Sequence, residues 1–165
     1  MSLPISGGGK RGPTREPTHK ALDHRRMMNL GLAVEEAADG EPITGEAIDE
    51  LALEEGVDAG YLYAAAAVTT EVEFAREHDV LFVACGGNCQ NWGALDALEH
   101  LATLRQQRVD EGRAAFDIQA RSCLDQCEHA PAVRMHTRDG DAFIARATRK
   151  AIDEAIALAC DGDES

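Results

Sequence analysis

Lysine and long apolar runs are scarce in this chain, and each shortage removes a class of function. Only Lys10, Lys20 and Lys150 are present in 165 residues, and 16 Lys plus Arg stand against 30 Asp plus Glu, a formal net charge of -14. Nucleic-acid affinity depends on cations displacing phosphate counterions, so no nucleic-acid partner is expected. The longest apolar stretches, Leu62 to Val68 and Val80 to Ala84, fall far short of the roughly 20 residues of a membrane helix, so no membrane span is expected. Gly7-Gly8-Gly9 is not followed by a Gly-Lys-Ser pattern, and neither a dinucleotide fingerprint nor a Ser-His-Asp arrangement occurs. The N-terminus lacks the apolar core of a secretory signal and the cysteines are not spaced as in a small stapled scaffold, which points to a reducing cytoplasm.

The chain divides by composition. Residues 1–19 carry glycines, prolines and scattered basic side chains with almost nothing to bury, and read as a flexible tail. Residues 20–77 read as a helical segment. Leu22, Met27, Leu30, Val34 and Ala37 recur at three- and four-residue steps until Asp39-Gly40. A second helix is expected from about Thr44 to Glu55, with Ile48, Leu51 and Ala52 on one face and Gly56 as its stop. Asp58 is placed to cap a third, Ala59 to Val68. Between Met27 and Ala84 fourteen acids face one base, Arg76. The run Glu35, Glu36, Glu46, Asp49, Glu50, Glu54 and Glu55 is most simply a solvated helix face.

At residue 78 the character changes. Val80 to Ala84 reads as a buried strand delivering Cys85. Trp92 to about Arg108 reads as a helix, with Leu95, Leu98, Leu101 and Leu104 at three-residue steps. A short strand is expected near Phe116 to Gln119. Arg138-Asp139-Gly140-Asp141 between two apolar segments, Ala132 to His136 and Ala142 to Ala145, signals a hairpin. Thr148 then caps a last helix through Ile152, Ile156 and Ala159. The order over 78–160 is β-α-β-β-β-α, the thioredoxin-like order without that fold's first elements, and residues 161–165 read as an acidic tail. The expected class is α+β.

Four of the five cysteines form two equally spaced pairs, Cys85-x3-Cys89 and Cys123-x3-Cys127, each following an expected strand. A thiol pair three residues apart can reach one metal from a single turn, and two such pairs supply the four thiolates that zinc or an iron-sulfur cluster requires. Neither pair is Cys-x-x-Cys, which argues against a thioredoxin-type dithiol. Structural zinc knuckles usually space their cysteines by two or four, so the spacing leans towards iron and sulfide. Gly86 and Gly87 let backbone amides approach sulfur. Cys160 is expected to pack, His129 to be a loop residue, and His78, His100 and His136 show no pairing suggestive of catalysis.

The stretch Cys85-Gly-Gly-Asn-Cys89-Gln-Asn-Trp-Gly-Ala94, the later Cys123-Leu-Asp-Gln-Cys127-Glu-His-Ala-Pro131-Ala-Val133, and Gly140 to Thr148 together resemble the thioredoxin-like 2Fe-2S ferredoxin family, in particular the small 2Fe-2S subunits of NADH:quinone oxidoreductase and of NAD-dependent formate dehydrogenase. The segment around Pro42-Ile-Thr-Gly-Glu-Ala and Leu62 to Val68 resembles the helical lead-in of those subunits. The resemblance spans roughly Leu22 to Leu158. It implies a non-catalytic electron carrier in an NAD-linked oxidoreductase of the formate dehydrogenase or NADH dehydrogenase type. Cys85 and Cys89 would hold one iron of a 2Fe-2S cluster, and Cys123 and Cys127 the other. The implied partner is an FMN- and NAD-binding flavoprotein, with further iron-sulfur or molybdopterin subunits in the same complex. Within the family the first pair is commonly spaced by four residues rather than three, which implies a tighter turn here. Trp92 stands where an arginine is frequent, and Asp125 where a glycine is usual. A zinc-stabilised or cluster-free interaction module is the alternative.

Overall fold

Three helices precede the first strand, each bounded by residues suited to stop or start a helix. The computed structural model describes residues 24–85, 94–121, 133–145 and 147–161. Helix α1 (His24–Ala38) buries Met27, Leu30, Val34 and Ala38 on one stripe. It ends where Asp39 (φ 50°) and Gly40 (φ 81°) turn the backbone left-handed. Helix α2 (Gly45–Glu55) begins with the Thr44 hydroxyl accepting from the Ala47 N–H, stops at Gly56 (φ 68°), and buries Ile48, Leu51 and Ala52. Helix α3 (Ala59–Thr69) begins with the Asp58 carboxylate accepting from the Gly60 N–H at 2.8 Å. The helix expected from Lys20 is described only from His24.

The remaining elements form a four-stranded sheet with two further helices. Strand β1 (Leu81–Cys85) leads to helix α4 (Ala94–Asp110), then β2 (Asp117–Arg121), β3 (Val133–Thr137), β4 (Gly140–Ile144) and helix α5 (Arg149–Ile156), which continues as a short π-helical stretch, Ala157–Asp161. The sheet order is β2-β1-β3-β4. Strand β2 runs parallel to β1, whereas β3 is antiparallel to β1 and β4 to β3. The five helices and four strands of the described residues make a mixed fold compatible with the α+β expectation. The hairpin is tighter than the sequence suggests. Thr137 pairs with Gly140, leaving Arg138 and Asp139 as a two-residue turn, and the positive φ falls on Gly140 (132°).

Register explains the core. Phe82 lies opposite Ile118 and Met135, and Ala84 opposite Ala120 and Val133, so these six share one sheet face. All five helices contribute to the single buried cluster that includes them. Helix α3 is central, packing on α1, α2, α4 and β2, and Leu62, Ala64, Ala65 and Ala66 are fully buried. Its approach to α4 requires Gly60, because a Cβ there would sit 2.5 Å from the Glu99 amide nitrogen.

Two buried polar contacts join the helical lead-in to the sheet layer. The Arg105 guanidinium on α4 donates to Asp49 of α2 at 3.0 Å. Asp117, at the start of β2, accepts from the Glu77 and His78 amides at 2.6 and 2.7 Å and meets His78 Nδ1 at 2.8 Å. The segment connecting α3 to β1 is therefore tied to the sheet by one carboxylate. No helix among the described residues is long and apolar enough to cross a membrane.

Candidate functional site

The strands that lead into the two paired-cysteine connections end at the same end of the sheet. Parallel pairing sets Cys85, the last residue of β1, beside Arg121, the last residue of β2. The next strand begins at that same end, because Val133 pairs with Ala84, and β4 finishes there, with Ile144 opposite Val133. The connections 86–93 and 122–132 thus both depart from the carboxyl ends of adjacent parallel strands, the location where open sheets with helical crossovers place ligands. Strand neighbours are about 4.8 Å apart, so the two departures are separated by a single strand spacing.

Of the expected ligands, Cys85 is placed at the end of β1. Cys89, Cys123 and Cys127 lie outside the described residues, as do Gly86, Gly87, Trp92, Asp125 and His129.

The helices at this end are linked by charge. Asp96, in the first turn of α4, accepts from the Arg149 guanidinium at the start of α5 at 2.6 and 3.3 Å. One turn along α4, His100 Nε2 lies 2.7 Å from Asp153 of α5. Glu99 sits between these pairs. Burial, together with the charges of Asp58 and Asp96, pushes its carboxyl up to about 7, against the pull of Arg149.

Cys160 occupies the other end. Its thiol, buried within the final π-helical stretch, points a weak donor at the Ala115 carbonyl, 3.9 Å away and just ahead of β2. The length of β2, about 13 Å over four residue steps, separates that region from the cysteine-bearing connections. Burial pushes the thiol upward, so it is held as a neutral packing group.

The acidic face is solvated except at one position. Glu35, Glu36, Glu46, Glu50, Glu54 and Glu55 are exposed, but Asp49 turns towards Arg105 with its side chain 13% exposed. Burial raises the Asp49 carboxyl while Arg105 opposes the shift. The expectation of a fully solvated face therefore fails at Asp49, because a buried guanidinium needs an anion.

Sequence reasoning missed the buried charges Arg105, Arg108 and Asp117. For the arginines a signal existed. Leu98, Leu101, Arg105 and Arg108 continue one stripe at helical spacing, so both cations sit on the core side of α4. Arg108 makes a paired contact to Asp161 at 3.0 and 2.8 Å and donates to the Ala114 carbonyl at 2.9 Å. The three described histidines with pairing partners, His78, His100 and His136, each meet an aspartate at 2.7 to 2.8 Å. Two of those partners lie 39 and 53 residues away in sequence, beyond the reach of a local pattern.

A scan against protein-family models finds no match for this chain. A search of curated proteins finds none either.

Proposed function

We propose that the chain is a single-electron relay subunit of an NAD-linked oxidoreductase, carrying a 2Fe-2S cluster on Cys85, Cys89, Cys123 and Cys127. The observation that carries this reading is the pairing of Cys85 with Arg121 on adjacent parallel strands. Cys123 follows Arg121 by two residues, a reach of at most about 7 Å. So short a step from the end of β2 to Cys123 supports a site shared by the two cysteine pairs. The donor set fits the group: four thiolates satisfy the two irons, and the supplied chemistry is reversible one-electron transfer.

The order β-α-β-β-β-α over β1 to α5 supports the finer reading of a thioredoxin-like domain. Helices α1 to α3, with α3 packed onto α4 and β2, support the likeness to the helical lead-in of such subunits. The chain's own residues hold this end of the sheet together. Asp96 and Arg149 fasten the starts of α4 and α5 there, and at the opposite end of the sheet Asp117 anchors the approach to β1. The proposed partner is an FMN- and NAD-binding flavoprotein exchanging single electrons with this subunit, in the cytoplasm.

The test is elemental and spectroscopic. Anaerobically purified protein is expected to be red-brown, to contain about two irons and two sulfides per chain, and to give a paramagnetic signal on reduction. Cys123→Ser is expected to shift or abolish that signal while the far-ultraviolet circular dichroism stays unchanged. One zinc and no sulfide per chain, in a colourless and redox-silent protein, would overturn the proposal in favour of a zinc-stabilised module. A colourless protein without either metal would leave a cluster-free scaffold.

A further inference from the structure

The sheet has two unlike faces. The helices pack on the face of Phe82, Ala84, Ile118, Ala120, Val133 and Met135, all members of the single buried cluster. Strand alternation sends their neighbours to the other side. One line across that outer face reads Gln119, Val83, Arg134 and Phe143, from β2 through β1 and β3 to β4. The next reads Asp117, Leu81, His136 and Asp141, and Arg121 lies two residues beyond Gln119 on β2. Leu81 and Val83 are not part of the core cluster. At 5% and 3% exposed they form the floor of this face. The side chains that reach solvent above it include Arg121, Arg134 and Phe143.

Charge is divided between the two layers. Glu35, Glu36, Glu46, Glu50, Glu54 and Glu55 are exposed on α1 and α2. On the outer sheet face both acids are already engaged: Asp117 is buried and accepts from the Glu77 and His78 amides, and Asp141 lies 2.7 Å from His136 Nδ1. Arg121 and Arg134 are exposed and make no hydrogen bond or ion pair with any described residue. The face therefore presents two unpaired cations in a chain whose net charge is -14. Arg134 stands directly opposite Phe143 on the neighbouring strand. Arginine and aromatic side chains are enriched where proteins meet and lysine and glutamate are depleted, and neither lysine nor glutamate stands on these two lines.

We propose that the outer face of the sheet is a docking surface for an acidic patch on a partner protein, with Arg121 and Arg134 meeting its carboxylates and Phe143 packing against its apolar atoms. The charges select this occupant. An acidic surface is repelled by the exposed glutamates of α1 and α2 and attracted by the two guanidinium groups, so it is brought to the sheet and kept off those helices. Contact runs through side chains that already reach solvent, and no buried group has to be uncovered. The proposal stands on the face and its charges, and holds whether or not the cysteines take a cluster.

The test uses the full chain and a capped, fluorescently labelled dodecapeptide alternating tyrosine with glutamate, at 0.15 M salt. Binding is read by fluorescence anisotropy, and the bound peptide is expected to protect Arg121 and Arg134 from phenylglyoxal, followed by mass spectrometry. Two variants lower the charge of the chain equally: Arg121→Gln combined with Arg134→Gln, and Lys150→Glu, whose side chain is exposed on α5. The first is expected to weaken binding about tenfold, and the second by no more than about twofold. All three positions are exposed, and circular dichroism checks that each variant is folded. Equal weakening by the two variants, no protection of Arg134, or no binding at millimolar peptide would each overturn the proposal.

Discussion

Arg105 on α4 and Asp49 on α2, 56 residues apart in sequence, form a 3.0 Å ion pair whose side chains are 6% and 13% exposed. Gly45 makes room for it, since a Cβ at that position would collide with the guanidinium. The Arg105 Nε finds no partner among the described residues. A buried cation with one anion and one unsatisfied donor is sensitive to losing that anion. Asp49→Ala is expected to destabilise the fold by about 3–5 kcal/mol, whereas Asp49→Leu with Arg105→Met recovers most of the loss, because it removes both charges and the orphaned donor. Urea unfolding of the single and double variants measures this. A double variant no better than the single would refute the account.

Asp117 offers a second test. Its carboxylate accepts two consecutive backbone amides, Glu77 and His78, as well as the His78 ring. Asp117→Ala strands both amides and is expected to cost about 2–4 kcal/mol. Amide exchange at residues 77 and 78 should accelerate more than exchange in α3. Uniform acceleration across both regions would mean that Asp117 acts on global stability alone.

Stability should depend on pH in a particular direction. The folded state raises the Glu99 carboxyl from 4.5 to about 7, so between those values the folded chain keeps a proton that the unfolded chain has lost. That contribution is complete below the unfolded value and disappears as pH rises to about 7. Asp161 acts oppositely. Its hydrogen bonds from Arg108 lower its pKa, so its contribution is present above the ordinary carboxylate range and is lost as pH falls through the lowered value. Glu99→Gln is expected to raise stability at pH 8 by about 1 kcal/mol, a figure reduced for partial solvent exposure, and to change little at pH 4.5. Parallel urea midpoints for wild type and variant across pH 4.5 to 8 would contradict the assignment.

The contact between α3 and α4 depends on a missing side chain. Gly60→Ala places a Cβ 2.5 Å from the Glu99 nitrogen and 2.6 Å from its Cα, and the backbone of a packed helix cannot rotate aside. Alanine's helix propensity favours the substitution by about 1 kcal/mol, but overpacking is expected to outweigh this and leave a net loss on the order of 1–2 kcal/mol. Thermal unfolding decides between them, and a stabilised variant would show that the helices separate at little cost.

Much of the local structure was legible in the residues. Asp58 and Thr148 cap the helices they were expected to cap, because a cap is a contact between neighbours two or three residues apart. Ile48, Leu51 and Ala52 are buried for the same reason, since helical period alone sets their face. The equal cysteine pairs were visible as pairs, and Cys85 stands at a strand end as read.

By itself, then, the sequence determined the elements, their caps and the spacing of the cysteines within each pair. Only the tertiary structure decided that β1 and β2 lie side by side with Cys85 against Arg121, that Asp49 leaves the acidic face to meet Arg105, and that Asp117 ties the approach to β1 to the start of β2. The physical reason is range. Caps and periodicity are fixed by groups a turn apart, whereas register and buried ion pairs join residues dozens of positions apart. Those are selected only when the whole core closes and each polar group removed from water must find a partner.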